Sequence, residues 1–195
     1  MNLKIWIKVN TADKALSALR EELISFFDEA DSVLDIGCGS GDLLFKARSK
    51  ISKGIGIDLD RDMINYAQEN CKINSIGNLE FKCIDATKME PSNFDISTCT
   101  FCLHELKQND ACEILKYMAK NSKRILIADY SKPKSFLSYL GIEFDEMISG
   151  HYLRFRKYRK AGTIFEYTKS SGLSILNTTP SSIDGITIWE IKGKI

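Results

Sequence analysis

The sequence predicts an α/β protein built on a doubly wound, mostly parallel sheet, and three observations carry that prediction. Short apolar runs recur, each followed by a segment of helical periodicity, as strands alternating with crossover helices require. A Gly-rich turn, Gly37-Cys38-Gly39-Ser40-Gly41, separates the first buried run from the helical pattern behind it. The last two runs are joined by a connection too short to hold a crossover helix, so they must be antiparallel.

Taken in order, Leu3, Ile5, Ile7 and Val9 alternate with Lys4, Trp6 and Lys8, which predicts a short amphipathic strand or arm. Asp13 to Phe27 carries apolar residues at helical spacing, with Asp13 as its cap. Val33, Leu34 and Ile36 form the first strand, and a helix follows the glycine turn from Asp42 to Arg48. Alternate glycines let a ligand lie directly against the main chain, while the next helix points its free N–H groups at it. Gly54 to Asp58 is the second strand, ending in an acid. A helix follows from Arg61 to Cys71, with Met63, Ile64 and Ala67 on its inner side. Leu79 to Ile84 is the third strand, running into Asp85-Ala86. All three strand ends project to the carboxyl edge of one sheet, where ligands of such folds bind.

Phe94 opens a fourth strand that ends in the polar turn Phe101 to Glu105, expected beside the first strand and facing a reacting centre. Asp110 to Ala119 is helical, Arg124 to Asp129 is the fifth strand, and Tyr130 sits just past it. Residues 131–172 depart from simple alternation, with a helix from Phe136 to Ile148 and another inside His151 to Ser170. An insertion there falls over the active-site edge, so it reads either as a substrate lid or as packing helices with a loop. Leu173 to Asn177 and Ile186 to Lys192 close the sheet. The organisation is one domain over 1–195, with an N-terminal arm and helix over 1–30 and a lid-like insertion over 131–172.

Length and composition agree. A chain of 195 residues with 44% hydrophobic and 27% charged residues suits one soluble domain with a sizeable core. A net charge of +1 from 27 basic and 26 acidic side chains carries no global polyanion-binding signature. The N-terminus is interrupted by lysines, so neither a signal peptide nor a membrane span is expected, and a cytoplasmic location with reduced thiols follows from the six cysteines. Cys99 and Cys102 form a C-x-x-C, but strand alternation sets them on opposite faces and no second pair completes a metal site, so no metal is expected. The run His151 to Lys160 interleaves cations with aromatics. On a helix it places His151, Phe155 and Tyr158 on one face and leaves the cations largely on a solvated side.

The glycine turn excludes some tenants. A dinucleotide fingerprint needs glycine at the sixth place of G-x-G-x-x-G, where Asp42 stands, and no Gly-Lys-Ser/Thr of a phosphate loop is present. Leu34-Asp35-Ile36-Gly37-Cys38-Gly39-Ser40-Gly41 instead resembles motif I of the class I S-adenosylmethionine-dependent methyltransferases. Phe94-Asp95 and Leu103-His104-Glu105 resemble the matching segment of the small-molecule members.

The resemblance implies a Rossmann-like seven-stranded sheet in order 3-2-1-4-5-7-6 with strand 7 antiparallel, and S-adenosylmethionine as cofactor with S-adenosylhomocysteine as product. It places the methionine part against Gly37, Cys38, Gly39 and Gly41 with Asp35 near the amino group, and the ribose on Asp58. Asp85 takes the adenine amino group, Leu59, Met63 and Ala86 flank the ring, and Phe101 and Cys102 lie near the reacting end. His104, Tyr130, His151 and Tyr152 are the candidates for contact with the acceptor. His104 either orients or deprotonates the acceptor, or caps the next helix and lines the wall.

Three absences narrow the acceptor. There is no Asn/Asp-Pro-Pro-aromatic after the fourth strand, no Pro-Cys, and no Asp-Asn pair after the fifth. A small organic acceptor survives, with RNA and a non-catalytic cofactor-binding module as alternatives.

Overall fold

In a computed structural model the protein is described over residues 3–90, 92–150 and 152–194. The described strands are β1 (Ser32–Ile36), β2 (Lys53–Asp58), β3 (Leu79–Cys83), β4 (Phe94–Thr100), β5 (Ser122–Tyr130), β6 (Ile175–Pro180) and β7 (Ile186–Lys192). They form one sheet in spatial order 3-2-1-4-5-7-6. β1 to β5 pair in parallel, while β7 runs antiparallel to both β5 and β6. Sheet order and the direction of β7 are therefore as the sequence predicts.

Both faces of the sheet are covered, which is why its strands read as continuous apolar runs. Val33, Ile96, Leu126 and Ile188 point to one side, against α3 (Ser17–Ser25) and α4 (Asp42–Ala47) through Leu19, Leu23, Leu43 and Leu44. Leu34, Cys99, Ile125, Ile127 and Trp189 point to the other, against Leu115 and Met118 of α6 (Gln108–Asn121) and Phe155 and Tyr158 of α8 (Tyr152–Ala161). On β5, the alternation of Ile125 and Ile127 with Leu126 and Ala128 is the two-residue period of a strand buried on both sides.

The turn after β1 needs its glycines. Gly41 has φ +81° at the start of α4, and a Cβ there would fall 2.6 Å from the Phe81 ring. Downstream, Asp60 caps α5 (Arg61–Ile73) by accepting from the N–H groups of Asp62 and Met63 at 3.0 and 3.2 Å.

The N-terminus differs from expectation. Leu3 to Asn10 is a helix, α1, rather than a strand or extended arm. β3 and β6 occupy the sheet edges without it, so an isolated strand there would leave its backbone groups unpaired. In the helix Ile5 and Val9 fall one turn apart and are at least partly buried, leaving Trp6 and Ile7 exposed. The following helix breaks at Leu16 into α2 (Ala12–Ala15) and α3, and Asp13 caps nothing. It is buried, with Lys8 and Ser40 donating to its carboxylate at 2.6 Å each.

Among the described residues the insertion after β5 holds three helices, α7 (Phe136–Ser149), α8 and α9 (Thr163–Ser170). Ser135 caps α7 by accepting from the Ser138 N–H at 3.0 Å. No helix among the described residues is long and apolar enough to cross a membrane.

Candidate functional site

At the carboxyl edge of the sheet lies a cleft of about 910 Å³. Its floor is formed by the turns after β1, β2, β3 and β4, its roof by α1 and α2 on one side and α7 on the other. Gly37, Cys38, Gly39, Asp58, Leu59, Asp85, Ala86, Phe101, Cys102, His104 and Tyr130 all line it.

On the β1–β3 side the polar groups are held by main chain. Asp58 accepts from the Gly39 N–H through one carboxylate oxygen and from the Asp60 N–H through the other, both at 2.8 Å. These bonds fix its rotamer and leave further lone pairs on each oxygen, an acceptor set suited to two neighbouring hydroxyls. Asp85 accepts from the Thr87 N–H and hydroxyl, and that backbone bond holds its carboxyl below the usual range. The N–H groups of Gly37 and Cys38 both donate to the Ile57 carbonyl, and that of Gly41 donates to Cys38. The loop's N–H groups are thus largely consumed within the fold, leaving little for a phosphate anion. They form a close surface for an uncharged ligand segment.

Behind the loop, Asp35 is 3% exposed and accepts from the Thr98 hydroxyl at 2.7 Å. Burial pushes its pKa up to about 6, against the lowering effect of that hydrogen bond. Above the loop stands Lys8, in ion pair with Asp13 at 2.6 Å, and a Cβ on Gly39 would fall 3.0 Å from its Nζ. Thr100 adds a buried hydroxyl on the cleft with no hydrogen-bond partner among the described residues.

On the β4–β5 side the groups hold one another. Phe101 turns the chain out of β4 with φ +51°, a strained angle for a residue with a Cβ. Its ring packs 4.9 Å from that of Tyr130, and His104 stands 4.9 Å from Tyr130 and about 6 Å from Phe155 and Tyr158. His104 is 2% exposed; its Nδ1 lies 2.5 Å from Asp129 Oδ1 and its Nε2 3.3 Å from Glu146 Oε1. Burial alone would favour the neutral ring. The Asp129 charge and hydrogen bond, joined by Glu146, outweigh it and raise the pKa to about 10. Both ring nitrogens are therefore donors to carboxylates at neutral pH. One carboxylate ends β5 and the other sits on α7, so the ring ties α7 to the sheet.

Several candidates lie off the cleft wall. Asp35 is behind the loop, Gly41 packs under Phe81, Met63 is buried in α5, and the Tyr152 hydroxyl donates to Glu143 of α7 at 2.7 Å. His151 lies outside the described residues. Cys99 and Cys102 do not stay apart: β4 ends at Thr100, and beyond Phe101 the Cys102 thiol comes within hydrogen-bonding reach of Cys99, which together with burial raises the Cys99 pKa. All six cysteines are free, and no cluster able to hold a metal exists among the described residues.

Lys8, Asp13, Arg20, Ile142 and Glu146 line the cleft without having been singled out by sequence. A lysine in an alternating run and a glutamate in the middle of a helix carry no local signature. Only the fold brings them to the edge.

A family profile described as a methyltransferase domain matches residues 27–165. An uncharacterized RNA methyltransferase of Clostridium acetobutylicum is 27% identical over 134 residues, 68% of this chain and 29% of that protein. The chain spans less than a third of the length of such curated relatives. Among solved structures, a magnesium protoporphyrin IX methyltransferase from Synechocystis with bound S-adenosylhomocysteine superposes over 100% of this chain and 88% of its own. Its TM-score is 0.65 at 19% identity. An S-adenosylmethionine-dependent methyltransferase from Clostridium acetobutylicum matches 98% of this chain and 97% of its own, with TM-score 0.67 and 14% identity.

Proposed function

The chain belongs to the methyltransferase-domain family, and from that premise we propose that it transfers a methyl group from S-adenosylmethionine to a small organic acceptor. The observation that carries this reading is the convergence on one cleft of a glycine loop with internally bonded N–H groups and two carboxylates fixed by main-chain donors. That set of acceptors fits a nucleoside with a ribose and an amino group but no phosphate.

The cofactor supplies, when bound, a methyl group already activated on a sulfonium. The chain then has to bind, orient and exclude water. Gly37, Cys38, Gly39 and Gly41 shape the seat of the amino-acid end, with Asp35 behind it. Asp58 holds the ribose hydroxyls and Asp85 accepts from the adenine amino group. Leu59, Met63 and Ala86 pack around the ring, Met63 from within α5, and the Thr100 hydroxyl gains the partner it lacks.

Phe101, Cys102, Tyr130 and the α7 side chain Ile142 wall the acceptor end with little polarity, which keeps water from the reacting centre. Tyr152 stands further out, on α8, bonded to Glu143 of α7. His104 acts as a positioning residue, because its nitrogens are committed to Asp129 and Glu146 and hold α7 over the acceptor. Six free thiols suit a reducing cytoplasm.

Thermal stabilisation by S-adenosylmethionine, S-adenosylhomocysteine and NAD, measured in parallel, tests the proposal. Shifts with the first two are expected, and a shift with NAD alone overturns it. Methyl transfer from labelled cofactor into a metabolite extract separates an enzyme from a silent binding module. Total RNA in the same assay tests a second reading, supported by the name of the Clostridium relative and the cations of α8.

A further inference from the structure

Helix α7 carries its apolar face outward. Phe136, Leu137, Leu140, Phe144, Met147 and Ile148 are between 47% and 80% exposed. At the helical period they fall within an arc of about 120°. The opposite face, with Ile142 and Glu146, turns to the cleft. Single exposed apolar residues are ordinary, but six on one helix face mark a surface built to be covered.

Cations outnumber acids on the helix packed beside that face. Helix α8 contains no acid and exposes Arg154, Arg156, Lys157 and Lys160, and Lys132 and Lys134 are exposed on the approach to α7. The acids of α7 are engaged within the fold: Glu143 accepts from Tyr152 and Arg159, Asp145 from Tyr130, and Glu146 pairs with His104. We propose that the outward face of α7, together with the cations of α8, docks onto an anionic lipid bilayer. Apolar side chains beside a cationic rim are what an interfacial helix presents to acyl chains and acidic headgroups. A symmetric pairing with a second copy would bring two basic α8 helices together and repel. Docking this way sets the lid, and so the mouth of the cleft, at the lipid surface. The inference stands whether or not the cleft transfers methyl groups.

Sedimentation with vesicles tests it. The protein is expected to pellet with phosphatidylcholine–phosphatidylglycerol vesicles at low salt, to release as salt rises, and to stay in solution with phosphatidylcholine alone. Each surface cation adds about fivefold to partitioning, so Lys157→Ala with Lys160→Ala should lower it roughly thirtyfold. Phe144→Asp should remove binding without changing the melting temperature, and Phe144→Trp should keep it with a blue-shifted emission on vesicles. No binding to the anionic vesicles at low salt overturns the proposal, as does salt-insensitive binding to phosphatidylcholine alone. So does a dimer in analytical ultracentrifugation that Phe144→Asp breaks while vesicles remain unbound. RNA binding that survives Phe144→Asp, again without vesicle binding, assigns the cations to RNA and overturns it equally.

Discussion

The two ends of the cleft are assembled by different means. At the β1–β3 end the two carboxylates on the cleft wall are fixed by backbone N–H groups close to them in the fold, Asp58 by Gly39 and Asp60, Asp85 by Thr87. At the β4–β5 end side chains from segments far apart in sequence, His104 from the turn after β4, Asp129 from β5 and Glu146 from α7, hold one another, in addition to the backbone N–H groups of His104 and Tyr130 that donate to Asp129. A site fixed by main chain loses a ligand contact when a side chain is removed and keeps its shape. A site fixed by mutual side-chain bonds loses its shape with any member, because the remaining charges are left buried and unpaired.

The sharpest test of that difference is His104→Ala. It removes the imidazolium that pairs with both Asp129 and Glu146, 0% and 3% exposed, leaves a cavity, and should cost about 3–5 kcal/mol of stability in denaturant unfolding. Its pH dependence gives a signature. A folded pKa of about 10 against 6.5 means that the histidine's contribution is complete below 6.5 and disappears as pH rises through 10. The wild-type advantage over the variant should therefore shrink in alkali. An advantage that grows instead would show the ring to be neutral and the pairing misread.

At the other end, Asp58→Ala frees the Gly39 and Asp60 N–H groups, so it should cost about 1–3 kcal/mol of stability, less than His104→Ala, and weaken S-adenosylhomocysteine about a hundredfold, since two hydrogen bonds to a charged group are lost. Isothermal titration reads this directly. Asp85→Ala removes one such bond at a more exposed position and should cost about tenfold. Unaltered affinity in Asp58→Ala would place the ribose elsewhere.

The same contrast explains what was legible in the sequence. The turn Gly37 to Gly41, Asp58 and Asp85 sit at fixed offsets from strand ends, and strand ends are visible as apolar runs, so the parallel sheet places them without knowledge of any side-chain contact. The seven-strand order followed from the same runs together with the resemblance they carried. Glu146 and Lys8 had no such frame. Glu146 lies on a helix whose apolar face turns to solvent, inverting the usual reading of amphipathicity. Lys8 sits in a run whose alternation suggested a strand, until the occupied sheet edges left a helix as the way to satisfy its backbone. The close approach of Cys99 and Cys102 was hidden by Phe101, whose positive φ ends the alternation that kept them apart.

Asp35 tests the rigidity of the β1–β3 end through pH. Burial raises its pKa from 3.8 to about 6, so its ionised form carries a folding penalty that is absent below 3.8 and full above about 6. A ligand ammonium near it favours the ionised form. Affinity for S-adenosylhomocysteine should therefore hold above pH 6 and fall about tenfold over the unit below it. Asp35→Asn should flatten that profile. A profile that survives the substitution would assign the titration to another acid.

Lys8 carries the smallest effect and separates the two ends most finely, because it reaches the loop from a segment outside the sheet. Its ammonium stands over Gly39, held by Asp13, where the amino-acid end of the ligand would lie. A carboxylate there gains one charge-assisted hydrogen bond, about five- to tenfold in affinity after the existing ion pair is shared. Lys8→Met should weaken S-adenosylmethionine and S-adenosylhomocysteine equally, since both carry that carboxylate. It should leave 5′-methylthioadenosine, which lacks the amino-acid end, untouched, whereas Asp58→Ala weakens all three. Loss of methylthioadenosine binding in Lys8→Met would mean that α1 shapes the nucleoside seat as well, and that the β1–β3 end is not fixed by its own main chain alone.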